Sequence, residues 1–275
     1  MPRLSTAPLP GGSLAPVTIW IDPPHWEAHG TQWSHVISDL SISELHDFAR
    51  RAGIPDRSFE GDHYDVPAHR HADLVRAGAV PTSANDLARR LARSGLRFRK
   101  RRGERPLGRW SDALSAVGGP HLLDVVASPH EPPRDAGAAV VLITDPEGWL
   151  VLVRSVTRPG WAPPGGKTDP GEDARAGAVR EVREETGLVL ARDLLRPVGY
   201  ERITIPPGQA VPPWDEGANH IAVFGARAAQ RLPVAPHADD VVAAEWVSPD
   251  VALARSGHEP WWELVSRWLS RPGGR

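Results

Sequence analysis

Glu181, Glu184 and Glu185 stand three and four residues apart in the stretch 166–188, GKTDPGEDARAGAVREVREETGL. Ala174, Ala178, Val179 and Val182 recur at helical spacing through it, which predicts a helix of about three turns with an apolar stripe. On such a helix the three carboxylates share one side. Clustered carboxylates repel one another and cost stability unless cations sit between them. Hard oxygen ligands of this kind suit Mg²⁺ or Mn²⁺, ions that also bind the phosphate oxygens of a substrate. Gly165 and Gly166, just ahead of the helix, allow a close backbone approach that a side chain would block.

A second concentration of chemistry lies near the N-terminus. His25, His29, His35, His46, His63, His69 and His71 fall among Asp22, Asp39, Asp62, Asp65 and Asp73. Mixtures of His and Asp can hold a transition metal or do acid–base work at phosphate. Asp22, His35, Asp39, His63 and Asp65 are the candidates for such a polar site. His35 and Asp39, four apart, would share a helical face. None of the spacings is a recognised zinc motif, and histidine is also a common surface residue, so packing or surface roles are the competing reading.

The elements that must position these groups divide the chain. Residues 1–16, rich in Pro, Gly and Ser, read as a flexible tail rather than a signal peptide. Residues 17–98 read as a small His-rich α/β domain: a β-branched strand at 17–22, a helix after the Ser41–Glu44 capping box, a second over 67–77 and a third after Ser83. Residues 99–135, punctuated by Arg, Pro and Gly, read as a linker with a short helix near 111–117. Residues 136–272 read as a second α/β domain, with strands near 138–144, 149–154, 198–205, 220–226 and 243–247 and a closing helix over 261–269.

Composition narrows the function classes. The 275 residues contain no cysteine, which excludes disulfides, thiolate zinc sites and cysteine nucleophiles and fits a reducing cytoplasm. A net charge of −2 and the lack of any apolar run of the ~20 residues that span a bilayer argue against a nucleic-acid or membrane partner. Lys100 and Lys167 are the only lysines among 32 basic residues. With the abundant Ala, Gly and Pro this points to a coding bias, so the arginine-dense stretch 97–105 reads as a solvated linker rather than a phosphate-binding surface.

The segment 166–188 resembles the Nudix box, G-x5-E-x7-R-E-U-x-E-E-x-G-U with U aliphatic, at every specified position. Seven fixed residues at ~6% frequency each give a chance match of order 10⁻⁹ per start site. Residues 161–166, WAPPGG, look like the family's usual lead-in, and the likeness covers about 136–272. The resemblance implies an α/β/α sandwich around a mixed sheet and Mg²⁺- or Mn²⁺-dependent hydrolysis of a nucleoside diphosphate linked to another moiety. That class includes nucleoside triphosphates, nucleotide sugars, ADP-ribose and dinucleotides, so the partner is a nucleotide-derived small molecule.

The resemblance also implies roles. Glu181, Glu184 and Glu185 would be metal ligands together with the Gly166 carbonyl, Arg180 would orient a glutamate, and Glu172 would be a structural carboxylate with an outer metal contact. Glu181 leads as general base, followed by Asp215 and Glu216. Arg154, Trp161 and Tyr200 are the substrate-binding candidates, with Trp214 as a further stacking aromatic. No downstream signature of a diadenosine-polyphosphate, ADP-ribose or NADH specialist is found. The stretch 59–66, FEGDHYDV, resembles a bacterial and phage domain family of unknown function, which supplies no mechanism. The alternative to hydrolysis is a ligand-sensing or nucleic-acid-associated regulator built on a Nudix-fold binding domain. A degenerate box would favour it, and this box is intact.

Overall fold

A computed structural model describes residues 19–271; the expected N-terminal tail lies outside them. The chain forms two compact units. One takes residues up to 58 together with 62–97, and the other takes 59–61 together with 98 onward.

In the first unit β1 (Ile19–Ile21), β2 (Trp26–Ala28), β3 (Thr31–Ser38), β4 (Tyr64–Pro67) and β5 (Val80–Pro81) form a five-stranded sheet, with β3 pairing β1, β2 and β4. α1 (Ile42–Arg51), α2 (His71–Arg76) and α3 (Ala84–Arg93) supply the apolar residues Leu45, Phe48, Leu74, Leu87 and Leu91, all buried. Ser41 and Ser83 cap α1 and α3, each accepting a backbone N–H three residues on. The Glu44 carboxylate accepts the Ser38 hydroxyl. The structure overturns two expectations. His35 lies in strand β3 and Asp39 just beyond it, so they share no helical face. The helix expected over 67–77 starts only at His71, because residues 64–67 are committed to pairing with β3.

The second unit is built on an eight-stranded mixed sheet of β6 (Arg105–Ser111), β7 (Leu122–Ala127), β8 (Ala136–Thr144), β9 (Leu150–Ser155), β10 (Gly165–Lys167), β11 (Arg196–Ile205), β12 (Gly217–Arg227) and β13 (Val241–Val247). The order is β13-β9-β8-β12-β11-β7-β6, with β10 on β8 and a parallel β8–β12 pair at its centre. Side chains alternate between two cores, as the period of a strand requires. On one face Val141, Ile143, Val151 and Phe224 pack on Ala178 and Val182 of α4 (Ala174–Thr186). On the other, Leu142, Leu152, Ile203 and Val223 pack on Ala252 of α5 (Pro249–Ser256) and Leu264, Val265 and Trp268 of α6 (Trp262–Leu269). The α/β/α sandwich with a mixed sheet is therefore as expected.

The stretch 99–135 is not a linker, since β6 and β7 extend this sheet. Its helix shrinks to a 3-10 turn over Ser115–Val117. Buried Asp124 on β7 holds it in place by pairing with Arg109 on β6 and with Arg202 on β11, the latter at 2.8 Å. No helix among the described residues is long and apolar enough to cross a membrane.

Candidate active site and a second polar cluster

Helix α4 begins where the Asp173 carboxylate accepts the Arg175 and Ala176 N–H groups, and it ends at Gly187 with φ +73°. Between these caps Glu181 and Glu185 are one turn apart, and both face strand β10. The Gly165 N–H donates to Glu185 Oε2 at 2.7 Å. The Glu181 carboxylate lies so close to Gly166 that a Cβ there would stand 2.6–2.7 Å from it. Gly165 is equally constrained, because a Cβ would come within 2.2 Å of the Ala139 carbonyl oxygen. Glycines are required at both positions for carboxylates and backbone to meet.

Arg180 ties the remaining acids together. Its Nη1 donates to Glu181 at 2.8 Å and to Glu184 at 3.0 Å, and its Nη2 to Glu172 at 3.1 Å and to the Lys167 carbonyl at 2.8 Å. The Arg180 hydrogen bond holds the Glu172 carboxyl below its ordinary range. Glu185 is different. Burial pushes its pKa up to about 7, although the Gly165 N–H opposes the shift. Arg158 also opposes it from a distance. Burial also raises Glu181, against the pull of Arg180. A buried carboxylate pushed toward neutrality by burial, beside a second carboxylate and a glycine backbone, is a donor set that fits a hard divalent cation.

Gly165 and Gly166 also line a largely apolar cavity of about 220 Å³, together with Arg158, Glu201, Trp214 and Trp261. Glu201 is 5% exposed, and burial, reinforced by Glu259 and opposed by Arg158, pushes its pKa up to about 7. Of the residues expected to bind substrate, Arg154, Trp161 and Tyr200 do not line this cavity, and Trp214 does. Arg154 lies over the Trp161 ring, and Trp161 packs on the core beneath Arg255. Tyr200 is buried with Phe98 and Val126 and donates to Glu104. Asp215 and Glu216 line an adjoining cavity of about 400 Å³ with His220, which shares Ala138, Lys167 and Trp214 with the first. Sequence reasoning passed over Glu201, Arg158, Trp261 and Asp240, the last of which acts electrostatically on both Glu181 and Glu185. A glutamate inside a strand of buried neighbours was the available signal for Glu201.

In the first unit, four of the five polar candidates converge. His35 Nδ1 is 2.9 Å from Asp22 Oδ2, His63 Nε2 is 3.2 Å from Asp65 Oδ1, and His35 Nε2 is 3.8 Å from the same oxygen. Burial alone would lower the His63 pKa, but Asp62 and Asp65 on its two nitrogens raise it to about 9. Asp39 stands apart, paired with Arg90 at 3.4 Å.

Residues 133–269 match the NUDIX domain family, and residues 19–94 match a family described as a protein of unknown function, DUF4031. The m7GpppN-mRNA hydrolase NUDT17 of Bos taurus is 31% identical over 135 residues, covering 46% of this chain and 45% of that protein. Its Homo sapiens counterpart is 30% identical over 135 residues, covering 46% and 41%. The chain thus spans less than half the length of these curated relatives. A C. elegans Ap4A hydrolase structure aligns with a TM-score of 0.36 at 19% identity, over 48% of this chain and 94% of that one. With the complete box, its cap-to-cap helix and the sandwich around it, residues 133–269 of this chain belong to the Nudix hydrolase superfamily.

Proposed function

We propose that the Nudix domain hydrolyses a phosphoanhydride bond of a nucleoside diphosphate linked to a further moiety, with Mg²⁺ or Mn²⁺ as cofactor. One arrangement carries the reading: Gly165 and Gly166 are shared between the Glu181 and Glu185 carboxylates and the apolar, Trp-lined cavity. Glu181, Glu184 and Glu185, with the Gly166 carbonyl and the outlying Glu172, would hold the ion. Bound there, it supplies neutralisation of phosphate charge and a water acidic enough to attack near neutral pH.

The chain's own groups do the rest. Arg180 fixes Glu172, Glu181 and Glu184 by charge-assisted hydrogen bonds, so the acids are ordered before substrate arrives. Glu181 is the general base that accepts the proton of the attacking water. Asp215 and Glu216 rank behind it because they line the adjoining cavity and not the one bordered by Gly165 and Gly166, and Glu216 accepts the Gly208 N–H. As the new P–O bond forms, the bridging P–O bond breaks and its oxygen leaves with the electron pair. Trp214 and Trp261 offer aromatic faces to a nucleobase, and Arg158 and Lys167 offer positive charge to phosphates at the same cavity. The chain lacks signals that pick one member of the substrate class, and its mammalian relatives are named as m7GpppN-mRNA hydrolases.

The test is a panel of nucleoside triphosphates, nucleotide sugars, ADP-ribose, dinucleoside polyphosphates and a capped dinucleotide, incubated with the full chain and Mg²⁺ or Mn²⁺. The expected result is cleavage of at least one class between phosphorus atoms, seen as two phosphorylated products by anion exchange. Saturable binding of a panel member with no cleavage of any would favour the sensing reading instead.

A further inference from the structure

We propose that His35, His63 and Asp65, in the first unit, form a binding site for a borderline divalent transition ion of the Zn²⁺ class. The strand register builds it. His35 on β3 is paired directly with Asp65 on β4, and Asp22, just past β1, accepts the His35 backbone N–H at 2.5 Å. His63 precedes β4 and brings its ring to 5.1 Å from that of His35. One nitrogen of each imidazole and one Asp65 oxygen all lie within 4.8 Å of one another.

Two features separate this cluster from an ordinary ion-paired surface. The first is how the rings are held. His35 Nδ1 meets Asp22 and His63 Nδ1 meets Asp62 at 2.5 Å, and these carboxylates are only 1% and 2% exposed. An ionised carboxylate only accepts, so each Nδ1 carries a proton and the Nε2 of each ring is the atom left facing Asp65; an arriving cation would take the Nε2 lone pair and release the second proton that His63 otherwise carries there. Ligating histidines are oriented in this way, with the far nitrogen donating to a carboxylate. The second is Asp65 itself. Its Oδ1 is buried, with the two Nε2 atoms beside it at 3.2 and 3.8 Å but neither in good hydrogen-bonding geometry. Such an acceptor is costly unless something sits against it.

The dimensions suit an ion. Bonds of about 2.1 Å in a tetrahedral site put ligand atoms roughly 3.4 Å apart, and Asp65 Oδ1 is 3.2 and 3.8 Å from the two nitrogens. Two imidazoles and one carboxylate favour Zn²⁺ or Fe²⁺ over Mg²⁺, which prefers all-oxygen shells, so this site and the box select different metals. Three protein ligands leave a position open. Both histidines line a cavity of about 240 Å³ that also carries His25 and Arg97, so a water or small anion can complete the shell from that side.

The experiment is calorimetric titration of the full chain with Zn²⁺ in excess Mg²⁺, followed by the visible spectrum of the Co²⁺ form. Wild type is expected to take up one Zn²⁺ with micromolar or tighter affinity and to give Co²⁺ bands of low coordination number. His35→Ala and Asp65→Asn should weaken uptake by more than about 100-fold, and Asp22→Asn by roughly 10- to 100-fold. His258→Gln, at a side chain 72% exposed, should change nothing. Asp65→Asn is near-isosteric, so it serves if His35→Ala fails to fold. No uptake by wild type, or equal uptake by wild type and Asp65→Asn, would overturn the site and leave a His–Asp ion-pair network.

Discussion

Glu181→Gln and Glu185→Gln are each expected to lower kcat by roughly 10³-fold or more while leaving the fold intact. The carboxylates meet the Gly165–Gly166 backbone from one side of α4, and neither can be replaced by a neighbour. An amide keeps the size and one acceptor oxygen but loses the charge that draws the cation. Glu185→Gln should also melt no lower than wild type in the metal-free state. Burial already disfavours the charge it removes, and the amide oxygen can still accept from Gly165. Steady-state rates on a cleaved panel member and melting curves with chelator check both halves. Near wild-type turnover in both variants would remove the box from the chemistry.

The second large effect is expected at Glu201, through pH. Its folded pKa is about 7 because burial, with Glu259 nearby, disfavours the charged form against the pull of Arg158. The unfolded chain titrates near ~4.3. Between those values the folded state binds the extra proton, so wild-type stability falls as pH rises through this window and levels off above it. At ~1.4 kcal/mol per pKa unit the loss is on the order of 3 kcal/mol. Glu201→Gln cannot titrate and should lack this contribution, while every other group contributes alike to both proteins. Urea unfolding of the two at pH 5 and pH 8 should therefore show the variant gaining on wild type at the higher pH. An unchanged difference would mean that Glu201 is solvated through the cavity.

The parts that were legible in the sequence are those with strong period or strong caps. α4 shows an apolar stripe between Asp173 and Gly187, and β8, β9, β11, β12 and β13 are apolar runs bounded by turns. The acids of the box follow from α4 alone, because one-turn spacing fixes their shared side. What was missed has local causes. β6 contains Pro106 and Gly108, which argue against a strand, but it is the edge of the sheet and its register slips between those two residues. β3 reads TQWSHVIS, too polar to look like the centre of a sheet until its polar residues are seen to build the His35–Asp22 contact. Tyr200 was the natural choice to stack on a base, yet neighbours in a strand face opposite ways, and it is Glu201 that the sheet turns to the cavity. Distances across the fold, such as Asp240 to the box, have no local trace at all.

Whether the box acids act through a divalent cation on a phosphoanhydride is settled by removing the metal. The full chain is stripped with chelator, assayed on the panel member it cleaves, and assayed again as Mg²⁺ or Mn²⁺ is returned. No turnover above background is expected in chelator, with full recovery on re-addition and little recovery in Glu185→Gln. Turnover that persists unchanged in chelator would contradict a metal-dependent reaction.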